Sequence, residues 1–280
     1  MSKGFCLLAQ NNAKTDYVRQ AYALALSLHK YNKDQKISLI TNDTVPEEYV
    51  HAFDKIVAIP WTDNAANSDW KIENRWKVYH ASPYEETIVL EADMLITSNI
   101  EHWWDELGKR DLFFVSNVRT YRDEVVTSNY YRKTFVANSL PNLYSALHYF
   151  KKGDTAKEFY NLLEIVVNNW ALFYTKYAPE QYQKWCSIDL CAAIVSKILD
   201  NEKEITDPKS YVTFTHMKPA VQGWYNVPEK WTRVIGKYYT DDGKLFLGNY
   251  LQTKVLHYVE DEFLTDEIVE KLKHGTEILH

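Results

Sequence analysis

Apolar and polar positions alternate in blocks along the first third of the chain, and the length and spacing of each block separate strands from helices. Phe5 to Ala9 is a short apolar run stopped by Gln10-Asn11-Asn12, which reads as a strand leading into a polar loop. From Asp16 to Tyr31 the apolar residues Tyr17, Ala21, Leu24, Ala25 and Leu28 recur at helical spacing. Two further strands, 36–41 and 55–59, are stopped by Asn42-Asp43 and by Pro60. A helical pattern over 70–80 must end near Ser82, because Pro83 pushes its predecessor out of the helical region. Residues 87–90 and 111–116 predict strands, and Ser98-x-x-Glu101 has the form of a capping box opening a helix. Strands alternating with helices predict an α/β fold on a mostly parallel, doubly wound sheet.

After Val118 the texture changes to long aromatic-rich helices. One is predicted from the Thr155-x-x-Glu158 capping box to about Trp170, another over roughly 189–199, and a last one after Thr265. Residues 207–258 read as irregular, with short strand-like pieces and many Trp and Tyr. With no internal repeat and no linker, the reading is one domain over 1–280, a nucleotide-binding type of half over 1–117 and an elaborated half over 118–280.

Composition narrows the function. Of 280 residues, 46% are apolar and 25% charged, enough for a sizeable core. Only 8 are glycine, and neither G-x-G-x-x-G nor G-x-x-x-x-G-K-[ST] occurs, which argues against a dinucleotide-dependent dehydrogenase and a P-loop NTPase. No stretch approaches the ~20 uncharged residues of a membrane span, and the opening apolar run is too short for a signal peptide. Cys6, Cys186 and Cys191 form no framework and no C-x-x-C pair, so a cytoplasmic protein with free thiols is expected. The net charge of -6 is concentrated from Tyr258 onward, where it sums to -5, so the body carries -1 and an anionic partner stays open.

The segment that carries chemistry is Thr87-Ile-Val-Leu-Glu-Ala-Asp-Met-Leu95. A buried apolar strand emerges into Glu91 and Asp93, which share a face about 6.5–7 Å apart in extended chain. Carboxyl ends of central strands are where open α/β sheets bind ligands. A Mg²⁺ or Mn²⁺ ion with a diphosphate would relieve the concentrated negative charge, and an ordinary solvated strand end is the bland alternative.

The stretch from Asn74-Arg-Trp-Lys-Val-Tyr-His through Ser82-Pro-Tyr to Leu90-Glu-Ala-Asp93 resembles the approach to the D-x-D motif of GT-A glycosyltransferases, in particular glycosyltransferase family 8, the glycogenin-like enzymes. Tyr144-Ser-Ala-Leu-His-Tyr-Phe-Lys151 is similar to that family's Asn-Ser-Gly segment, and Val255-Leu-His-Tyr258 to its C-terminal Ile-His-Phe segment. Three positions depart: Glu91 stands for the first Asp, Ala146 for Gly, and no Lys-Pro-Trp follows His257. The resemblance implies transfer of a sugar from a nucleoside-diphosphate sugar, a UDP-sugar foremost, with retention. It makes Glu91, Asp93 and His257 the ligands of a Mn²⁺ or Mg²⁺ ion, with Glu91 or Ala92 against the donor. The nitrogen ligand tilts the choice towards Mn²⁺.

Further site residues follow from the same likeness. Ala9, Gln10 and Asn11 would meet the base and ribose, and Arg75 and Lys77 the phosphates, although a polar loop and a solvated helix face explain them equally well. His216 and Lys218 sit in a turn rich in groups that bind sugars or phosphates. Asp189 is either a catalytic or sugar-orienting group or a helix cap. The acceptor is a saccharide, a protein, or a hydroxylated DNA base as in bacteriophage-type enzymes. The last is motivated by the Arg119–Lys133 segment, four cations interleaved with three tyrosines, which also suits a lid over the donor. A sugar nucleotidyltransferase and a non-catalytic carbohydrate- or nucleic-acid-binding protein are the rival readings. The first lacks its Gly-rich N-terminal loop.

Overall fold

The computed structural model describes residues 2–126, 132–227 and 229–277. Its central sheet holds β1 (Lys3–Leu8), β2 (Ile37–Ile40), β3 (Lys55–Val57), β4 (Glu86–Glu91), β6 (Leu112–Val115) and β7 (Tyr144–Lys151) in the order β3-β2-β1-β4-β7-β6. β1, β2, β3 and β4 run parallel, and β7 is antiparallel to both of its neighbours. The chain steps outward from β1 through β2 to β3, then returns to place β4 on the other side of β1. The gap at the carboxyl ends of β1 and β4, where Leu8 is in register with Glu91, is therefore a topological switch point.

Alternate side chains of these strands feed two cores. Phe5, Leu7, Ile88 and Leu90 face the helix Tyr17–Tyr31 and the C-terminal helix Asp266–Glu277. Cys6 and Val89 face the helices Asp154–Asn168, Trp170–Tyr177 and Ile188–Leu199. Helices on both faces bury both sides of the central strands, which is why these read as continuous apolar runs, while the edge strand β3 stays largely exposed. The Asp16 side chain accepts the Arg19 N–H at 2.9 Å and caps the first helix.

Two small three-stranded sheets complete the fold. One is an antiparallel meander of β9 (Lys237–Tyr239), β10 (Leu245–Leu247) and β11 (Tyr250–Leu251). The other sets β12 (Val255–His257) between β5 (Met94–Leu95) and β8 (Phe214–His216).

Several local expectations need correction. The pattern of residues does not mark β7 as a strand, because seven of its eight residues are buried and no alternation results. The helix expected over 70–80 starts at Ile72 after a left-handed Lys71, runs as a 3-10 helix to Lys77 and turns α-helical only over Val78–Ala81. Neither capping box forms. Ser98 donates to the Thr253 carbonyl at 2.8 Å and the helix begins at Trp103, while Thr155 lies in the first turn of its helix and donates to Asp111. In both, a tertiary acceptor outcompetes the local one.

Candidate active site

β4 delivers Glu91 and Asp93 to the switch point, and pairing of the short strands brings the third group. His257 on β12 is in register with Met94 on β5, and the Tyr258 N–H bonds the Asp93 carbonyl at 3.1 Å. His257 Nε2 thus lies 3.1 Å from Asp93 Oδ2 and 3.4 Å from Glu91 Oε2. One ligand atom from each of the three residues lies within 4.8 Å of the others. Two carboxylates and one imidazole are the donor set of a hard to borderline divalent cation, so the residues present fit Mn²⁺ or Mg²⁺.

Electrostatics agrees with the geometry. Burial favours a neutral Asp93, but the His257 and Arg75 charges overcome it and hold the carboxyl below its usual range. Burial likewise disfavours protonated His257, yet the adjacent Asp93 and Glu91 carboxylates raise its pKa. Arg75 forms a salt bridge with Oε1 of Glu91, the oxygen that does not face His257. Burial opposes the Arg75 charge, and Glu91 and Asp93 more than restore it.

The first-strand loop also reaches this place. Gln10 is buried, donates to Asp63 at 3.2 Å and accepts from Asn74 at 2.8 Å. Gln10, Ala92, Asp93 and Arg75 line one recess with Tyr17 and Trp70. Ala9 is buried beneath the loop, and the Asn11 side chain accepts the Val18 N–H at 3.0 Å, which ties it to the start of the first helix.

Other predicted residues are placed differently. Lys77 does not join Arg75. Its ammonium is buried and donates to the Thr62 carbonyl and to Asn64, because residues two apart on a helix do not face the same way. Asp189 does not cap its helix, since Ser187 is the cap. The Asp189 carboxylate instead accepts from Arg132 at 2.8 Å and from the Ser145 N–H and hydroxyl at 2.9 and 2.6 Å. This cluster abuts the carboxylate site, since Arg75, Glu91, Ser145, His148 and Ile188 line one cavity of about 30 Å³.

His216 packs its ring 4.7 Å from that of His257, and burial first, then the His257 and Lys218 charges, keep it neutral. Lys218 is exposed at the start of the turn that follows. Sequence reasoning gives no individual site role to Tyr17, Ser145, His148 or Arg132, although Ser145 and His148 lie in the family-like segment 144–151 and Arg132 among the cations of 119–133. Tyr17 reads there only as a helix-face apolar residue, and Ser145 and His148 are hidden in the unmarked β7. Of the Arg119–Lys133 segment, residues 127–131 lie outside the described residues.

No family model and no curated protein matches this chain. Solved structures do. The chain is similar to mouse xyloside xylosyltransferase 1, at 9% identity and a TM-score of 0.52, covering 92% of this chain and 97% of that one. It is similar to the glycosyltransferase GlyE of Streptococcus pneumoniae TIGR4, at 12% identity and a TM-score of 0.51 over 99% of this chain, and it spans 60% of the GlyE chain. An active-site mutant of LgtC matches at 14% identity and a TM-score of 0.50, covering 98% of this chain and 95% of that one. At such identities the likeness speaks for architecture: the chain has the mixed α/β fold of the GT-A glycosyltransferases.

Proposed function

We propose that this protein is a metal-dependent glycosyltransferase that moves a sugar from a UDP-sugar to an acceptor hydroxyl with retention. The observation that carries the reading is the meeting of Glu91, Asp93 and His257 at the switch point of the sheet. A bound Mn²⁺ or Mg²⁺ ion would supply Lewis-acid stabilisation of the departing nucleoside diphosphate. Arg75, held against Glu91, is positioned to pair with donor phosphate. Gln10, braced by Asn74 and Asp63, presents an amide at the recess where the base or ribose would sit. Lys218 supplies a further exposed cation on the side of His216.

Retention is carried by the family likeness, and Asp189 is not suited to be the general base that inversion would need. Burial opposes its charge, but Arg132 and the Ser145 donors hold its carboxyl below the ordinary range. A carboxylate with three donors and a depressed pKa is poorly matched to taking an acceptor proton at neutral pH. Asp189 acts instead by tying its own helix, Ile188–Leu199, to Ser145 of β7 beside the site. The cysteines Cys6, Cys186 and Cys191 are buried free thiols, which fits a reducing cytoplasm.

The test is hydrolysis of UDP-glucose and UDP-galactose with Mn²⁺, comparing wild type with Asp93→Ala. Loss of a ligand should lower the rate by roughly a hundredfold or more, as should a chelator. Equal rates in the two proteins would overturn the reading, and stabilisation by UDP without turnover would leave a binding protein.

A further inference from the structure

Two of the chain's three cysteines fall within one span of six residues, and the fold brings their sulfurs together. Cys186 directly precedes Ser187, the cap of the helix Ile188–Leu199, and Cys191 lies four residues past that cap. Residues so placed pack together as an apolar staple across a helix start. Here both are free thiols, with their Sγ atoms 3.9 Å apart. Tyr174 walls the pair. Its hydroxyl accepts the Ser187 N–H at 2.9 Å and lies 3.9 Å from Cys191 Sγ. The two thiols differ in access. Cys191 is fully enclosed, whereas Cys186 is 8% exposed on the irregular segment 178–187, beside Trp185 at 60%.

We infer that Cys186 and Cys191 are a redox modification site, which a hydroperoxide closes into a disulfide and a dithiol reopens. The inference stands apart from sugar transfer. Access sets the order of events. The Cys186 sulfur attacks one peroxide oxygen, the O–O bond breaks, and the thiol proton leaves with the other oxygen as water. The Cys191 sulfur then attacks the sulfenic sulfur. An S–S bond forms, the S–O bond breaks, and the hydroxide departs with the Cys191 proton as a second water. Two electrons thereby pass from the sulfurs to the peroxide, and thiol–disulfide exchange with a dithiol returns them. Burial raises the Cys191 pKa well above its ordinary 9.0, which keeps it from reacting first. An S–S bond is about 2.05 Å long, so closure draws the sulfurs together by about 2 Å. The exposed segment that carries Cys186 makes that approach, because Cys191 is fixed in the helix. The closed ring contains Asp189, which binds Ser145, and Ile188, which shares a cavity with Arg75 and Glu91. The state of the pair therefore bears on one wall of the candidate site. A reducing compartment holds it open between oxidising episodes.

Peptide mapping of the folded full chain after hydrogen peroxide, with free thiols alkylated on unfolding, tests this. Both cysteines fall in one tryptic peptide, 185–197, which should lose two hydrogens and both alkylation sites, and regain them with dithiothreitol. Cys6 is the internal control, since burial pushes its thiol up to about 12 and it donates to Ser82 at 3.4 Å; it should stay free. Cys191→Ala should leave a Cys186 sulfenic acid that dimedone captures, and Cys186→Ala should leave Cys191 unmodified. Circular dichroism establishes that the variants are folded, and the wild-type map decides the bridge by itself. An unchanged peptide 185–197, oxidation of Cys186 without a bridge, a disulfide through Cys6, or equal oxidation of Cys191 in Cys186→Ala would each overturn the inference.

Discussion

The Arg132–Asp189 pair offers the sharpest quantitative check. The Arg132 guanidinium is buried, lies between the rings of Phe135 and Tyr144 at 3.7 and 4.3 Å, and donates to Asn142, Leu143 and Asp189. Asp189→Ala removes its counter-charge and leaves both Ser145 donors without that acceptor. Breaking a buried pair from one side costs about 3–5 kcal/mol. The Asp189 side chain is 24% exposed, which favours the lower end of that range. For a chain of this size each kcal/mol moves Tm by roughly 2–4 °C, so a fall of about 6–12 °C is expected. Arg132→Met combined with Asp189→Leu removes both charges and should recover about half of the loss.

The pH dependence has a definite sign. Because the folded pKa of Asp189 lies below the ordinary value of 3.8, its contribution is present above that value and lost as pH falls through the folded one. Urea melts followed by tryptophan fluorescence at neutral and acidic pH measure both effects. A single variant within about 1 kcal/mol of wild type would refute the reasoning, given the ~3 kcal/mol expected. A gap that stays the same size below the folded pKa would refute it as well.

Three other outcomes follow. His148 is buried, with Nδ1 2.6 Å from the Ser145 carbonyl, and burial pushes its pKa from 6.5 down to about 4. The unfolded chain then binds a proton that the folded chain refuses, so stability should fall by roughly 3 kcal/mol as pH drops from 6.5 to 4. His148→Phe, which keeps the stack on Phe114, should flatten that slope in acid melts, and an unchanged slope would count against the assignment. Gly4→Ala should destabilise by about 1–3 kcal/mol in urea, because the added methyl runs into the buried Tyr84 ring; a neutral result would mean the ring moves freely. Mn²⁺ at about 100 times its Kd should stabilise the wild type by about 2.7 kcal/mol in thermal melts. A chelator should reverse the gain, and an equal shift in Asp93→Ala would place the ion elsewhere.

The parts of the fold legible in the sequence are those that local periodicity encodes. β1, β2, β3, β4 and β6 stand out because short apolar runs end at polar or proline stops, and the first helix because Leu24 and Leu28 recur on one face. β7 is not legible, since a strand buried on both faces carries no alternation and Tyr, Phe and His suit a helix core as well. The capping boxes fail for a related reason: a hydroxyl three residues from a glutamate signals a cap only when no distant carbonyl or carboxylate competes for it.

For the site, the sequence alone determined that two carboxylates stand two residues apart where a buried strand ends. The strand stops at Glu91 and Ala92-Asp93 turn into β5, so the extended-chain spacing expected for the pair does not hold and the turn sets how they meet. Family likeness supplied His257. Only the tertiary structure decided that β12 pairs with β5 and carries His257 to Asp93 across 164 residues of chain, that Arg75 turns to Glu91 while Lys77 turns away, and that Asp189 is held by Arg132 and Ser145. The physical reason is range: periodicity records which face of an element is buried, while the partner that buries it is chosen by packing between segments far apart in the chain.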